Sequence, residues 1–85
     1  MMQLESLRHE IDKIDDEIAK LLDRRISVAI EVGKIKKATN MPIYAPAREE
    51  QIFERITKDV SNKDEIRKIY EAILTVVKNK ILIGG

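Results

Sequence analysis

Cysteine is absent from the 85 residues, so disulfides, thiolate metal sites and cysteine nucleophiles are all excluded. Histidine occurs once, as His9, which excludes a multi-histidine metal site within a single chain. Glycine and proline are scarce, at three and two, so the chain has few places to break. No apolar run approaches the ~20 residues that span a bilayer, and the amino terminus lacks a signal-peptide core. Neither sign of charge dominates: 16 Lys+Arg stand against 15 Asp+Glu, a net +1. That balance argues against a general binder of nucleic acid or of an anionic membrane, which needs a strong basic excess. Period-two alternation is almost missing as well, so strands are not expected. The expected setting is the cytoplasm.

What the chain does hold is helix. Hydrophobic residues make up 44% and charged residues 36%, too apolar for disorder and suited to one helical domain over residues 1–85. Leu4, Leu7, Ile11, Ile14, Ile18, Leu21, Arg25, Val28, Val32 and Ile35 recur at alternating spacings of three and four. This pattern predicts a first helix over residues 4–37 with one stripe facing a partner helix. Such a helix is ~50 Å long, and the remaining chain is too short to flank it with two packed helices. Self-association follows. The segment Asn40-Met41-Pro42-Ile43-Tyr44-Ala45-Pro46 reads as a loop. A second helix begins near Pro46, where a missing N–H costs nothing, with Glu49 and Glu50 in its first turn and Ile52, Phe53, Ile56 and Val60 on its apolar face. Ser61-Asn62-Lys63-Asp64 reads as a capping turn. Ile66, Ile69, Tyr70, Ile73, Leu74, Val77 and Ile81 form the apolar face of a third helix, and Gly84 and Gly85 end it.

Arg25 breaks the seam. Its neighbours seven residues away, Ile18 and Val32, are apolar. A guanidinium turned toward a core needs an anion or loses several kcal/mol in desolvation. It can pair with a carboxylate from another helix, snorkel outward, or bind an anionic ligand. Lys36, eleven residues on, returns to nearly the same face ~16 Å away. Arg8 lies ~25 Å before Arg25, too far to share one small ligand within a chain. Two antiparallel chains would bring Arg8 of one toward Arg25 of the other. Gly33 costs about 1 kcal/mol against alanine inside a helix, which close approach of another backbone would justify.

Taken together, these positions resemble a known family. Leu7-Arg8, Ile11, Ile14 and Asp15, then Leu21-Leu22-Asp23-Arg24-Arg25, then Ala29-Ile30-Glu31-Val32-Gly33-Lys34-Ile35-Lys36 are similar to the first helix of the all-helical (AroQ-class) chorismate mutases. The match continues without a gap through Pro42-Ile43 into Arg48-Glu49-Glu50. The resemblance implies an intertwined homodimer of chains with one long and two shorter helices, and conversion of chorismate to prephenate on the route to phenylalanine and tyrosine. It implies a site lined by Arg25, Lys36, Arg48 and Glu49, with Arg8 entering from the other chain, and no cofactor or metal. Arginines would grip the two carboxylates of the substrate. Lys36 would meet the ether oxygen as its bond breaks, and Glu49 would accept the ring hydroxyl's hydrogen bond.

Three positions depart from the family pattern. Ala45 stands where Asp is frequent, and Val77 where a small or hydroxyl residue is usual. Ile81 stands where Gln or Glu usually provides the second donor to the ether oxygen. Because an aliphatic group cannot donate, Ile81→Gln is expected to raise turnover. The polar residues Lys78, Asn79 and Lys80 are expected to flank the buried face of the third helix, turning inward only if its last turn unwinds. Two other functions fit the same chain: an isochorismate pyruvate-lyase of this fold, and a catalytically weak dimerisation or regulatory domain, which Ile81 favours.

Overall fold

The computed structural model describes residues 2–83, the side chain of Met2 aside. Three helices follow one another: α1 (Met2–Ala38), α2 (Pro46–Thr57) and α3 (Lys63–Ile83). The first outruns its expected bounds by two residues before and one after. The expected stop at Gly84 and Gly85 lies outside the described residues.

The end of α1 is set by hydrogen bonds. Asn40 adopts φ 57°, the left-handed conformation that asparagine tolerates. This lets the Met41 N–H reach the Lys36 carbonyl (2.8 Å) and the Asn40 N–H reach the Lys37 carbonyl (3.4 Å), the paired bonds of a Schellman turn. Pro42 then prevents any continuation. Pro46 opens α2 with its missing N–H, although Ala45 before it offers no side-chain cap. The turn between α2 and α3 lies earlier than expected, over residues 58–62. Lys63 and Asp64 already belong to α3, because the Ile66 N–H bonds the Asn62 carbonyl at 2.9 Å and starts the helix there. Val60, expected on the face of α2, falls in this turn.

The third helix packs against both others, while α1 and α2 do not pack on each other. Ile52 and Phe53 of α2 meet Leu74 of α3 in a small core, with Ile56 and Tyr70 at its edge. Arg67 covers the outside, 4.3 Å over the Phe53 ring and paired with Glu50 (3.5 Å) and Glu71 (3.7 Å). At the far end α3 lies on α1 at Gly33. A methyl group there would stand 2.7 Å from Ile81 Cγ2, so glycine makes room for a side chain rather than, as expected, for a backbone. Lys37 Nζ donates to the Ile81 carbonyl at 2.7 Å and ties the two helix ends together.

The rest of α1 is bare. The nine aliphatic residues of the seam, Leu4 through Ile35, stand 46% to 63% exposed. No helix among the described residues is long and apolar enough to cross a membrane.

Candidate active site

Where all three helices and the loop converge lies an open cleft of about 520 Å³. That volume suits a small organic ligand. Its apolar walls come from Val28, Val32, Ile52, Leu74, Val77 and Ile81. Arg25, Lys36, Arg48 and Glu49, four residues singled out in the sequence, all line it. So do the three departures, Ala45, Val77 and Ile81. Arg8 does not line it, and stands exposed near the other end of α1.

Each side chain arrives by a local device. Arg25 is half-buried on the seam, its guanidinium carbon 5.8 Å from the Tyr70 ring centroid. Among the described residues no ion pair involves it. The pairing with an acidic residue of another helix is therefore not made within the chain. Lys36 is in the last turn of α1, and its Nζ donates to the Ile43 carbonyl at 3.3 Å, which draws the returning loop over it. One of its three ammonium protons is used there, leaving two. Arg48 and Glu49 sit in the first turn of α2, on adjacent residues that the helix start turns into the cleft.

The cleft also holds cations that the sequence did not place there. Arg24, Arg55 and Lys78 join Arg25, Lys36 and Arg48, so six cationic side chains face one carboxylate, Glu49. A chain with a net charge of only +1 thus gathers a strong local excess, and apolar walls focus its field on an anion. Arg55 follows Ile52 by three residues and Lys78 follows Leu74 by four, spacings that share a helix face. That was the available signal. Contrary to expectation, Lys78 enters the cleft with α3 helical through Ile83. Its Nζ is 2.8 Å from Glu49 Oε2 and 4.3 Å from the Tyr44 ring centroid. A site of this kind can hold a small dianion in one conformation, with a single carboxylate left to accept a hydrogen bond.

Comparison with known proteins points the same way. The family described as chorismate mutase type II matches residues 7–80. Over 58 residues, 68% of this chain, it is 48% identical to the bifunctional chorismate mutase/prephenate dehydratase of Aquifex aeolicus, of which the match spans only 16%. Over 56 residues, 66% of the chain, it is 43% identical to the chorismate mutase of Methanocaldococcus jannaschii, spanning 57% of that protein. The crystal structure of chorismate mutase from Helicobacter pylori in complex with prephenate superimposes with a TM-score of 0.84 at 31% identity, covering 95% of this chain and 91% of that one. With the matched segment running from the first helix nearly to the end of the third, the chain belongs to the type II chorismate mutase family.

Proposed function

We propose that the cleft binds chorismate and rearranges it to prephenate, a step toward phenylalanine and tyrosine. The observation that carries this reading is the convergence of Arg25, Lys36, Arg48 and Glu49, from two helices and opposite sides of a loop, on one cationic cleft. The reaction is unimolecular. One carbon–oxygen bond breaks as one carbon–carbon bond forms, no proton is transferred, and no covalent intermediate with the protein is needed.

The residues present suit that chemistry. Arg25 and Arg48 hold the two carboxylates bidentately and select the folded conformer in which the reacting carbons meet. Negative charge grows on the ether oxygen as its bond breaks, and the two free donors of Lys36 stabilise it there. Glu49 accepts from the ring hydroxyl while still paired with Lys78, since a carboxylate has about four acceptor positions. The chain acts as a homodimer in this reading. Its partner covers the bare seam, and Arg8 of the partner subunit enters the open side of the cleft.

The test is direct. Purified protein is given chorismate, and substrate loss and prephenate appearance are followed together, with isochorismate in a parallel reaction. Prephenate formation supports the proposal. Pyruvate release from isochorismate with no prephenate would reassign the site to the lyase, and no turnover of either would leave a helical dimerisation domain.

A further inference from the structure

The position usually given a donor to the ether oxygen is committed elsewhere in this chain. Ile81 turns its side chain onto Gly33, and its carbonyl accepts from Lys37. One helical turn earlier on the same face, Lys78 projects into the cleft that Ile81 lines. Side chains at this spacing are neighbours, ~5–6 Å apart at their Cβ atoms, so a lysine reaches the space in front of residue 81. The Lys78 side chain is 27% exposed and that of Glu49 21%, so the pair is withdrawn from solvent yet open to a ligand. Glu49 uses one ammonium proton, and the others are free to donate.

We propose that Lys78 is the second cation on the ether oxygen, making the contact that position 81 cannot. Glu49 anchors the ammonium at the cleft wall, and Tyr44 shields its other side. Leu74, Val77 and Ile81 line the same cleft, and a charge beside apolar walls is worth more than in bulk solvent. The proposal rests on the chorismate reading of the site. It also changes the meaning of Ile81, which becomes a packing residue of the α1–α3 contact.

Lys78→Met keeps the stem and removes the donor. In chorismate turnover it is expected to lower kcat by about 10²–10³, the loss typical of a donor aimed at developing charge, with a much smaller change in KM. Lys78→Arg, which still donates, should keep most of that kcat. Ile81→Gln should raise kcat far more in the Lys78→Met background than in the wild type, because only there is the second donor missing. Helicity and sedimentation of each variant report on folding. Wild-type kcat in Lys78→Met overturns the proposal, as does a rise in KM alone, which would mark simple binding. A kcat loss that neither Arg at 78 nor Gln at 81 relieves would make Lys78 only the holder of Glu49, and overturns it equally. A wild type that never converts chorismate ends the parent reading instead, so the two failures are distinct.

Discussion

Arg25 combines burial with the lack of an acidic neighbour. Half-buried beside Tyr70 and unpaired among the described residues, it carries a charge that the fold does not neutralise. Arg25→Ala is expected to leave circular dichroism unchanged and to weaken binding of a cyclic dicarboxylate by roughly one to two decades per lost bond, given ~1.5–3 kcal/mol for each charged hydrogen bond. Calorimetry showing equal affinity would make it a structural residue. Ala45 is a second site for a single change. It precedes α2 without a side-chain cap, so Ala45→Asp should stabilise the helix start by about 0.5–2 kcal/mol, seen as a rise in Tm. That Arg25, Lys36, Arg48 and Glu49 line one cleft was legible in the sequence because motif spacing survives without knowledge of packing. The inward turn of Lys78 was not legible, because helical spacing places it beside the buried face and says nothing of what stands opposite. Its nearest partners, Glu49 and Tyr44, lie far away in sequence, and nothing in a helical period reports them.

Between elements, two contacts near the end of α3 matter most. Ile81 rests on Gly33 and Lys37 caps the Ile81 carbonyl, so the site's rear wall depends on one glycine. Gly33→Ala gains about 1 kcal/mol of helix propensity but drives a methyl into a β-branched side chain with little freedom at χ1. Overpacking of this kind costs about 1–3 kcal/mol, so a net loss of up to about 2 kcal/mol is expected, measured by urea unfolding. Turnover should fall with it as α3 shifts. Helix order, the loop and most boundaries were readable from Pro46, the seam and the apolar face of α3. The end of α2 and the start of α3 were not, the latter because it depends on which residue's carbonyl the Ile66 N–H selects. The approach at Gly33 was anticipated as a need for space, although the sequence could not say what fills it.

Across the whole molecule, the chain is drawn out. It extends 56 Å with a radius of gyration of 16.1 Å, against about 12 Å for a compact chain of this length. Among the described residues the buried aliphatic and aromatic side chains, Ile52, Phe53, Leu74 and Val77, all lie at one end of that length or beside the cleft, while the seam stays exposed. A dimer at micromolar concentration is the expected result of sedimentation, and Ile14→Glu, placed mid-seam, should yield monomers without activity. Mixing inactive Arg8→Ala and Arg25→Ala chains should restore one working site per mixed dimer if the two arginines act across chains. The bare seam has a kinetic consequence too. Residues 3–20 of α1 all stand exposed, so in the expected dimer this half of the helix gains its packing only on encounter with another chain. Refolding from denaturant should therefore contain a second-order phase, its rate rising in proportion to chain concentration, and the midpoint of unfolding should climb with concentration as well.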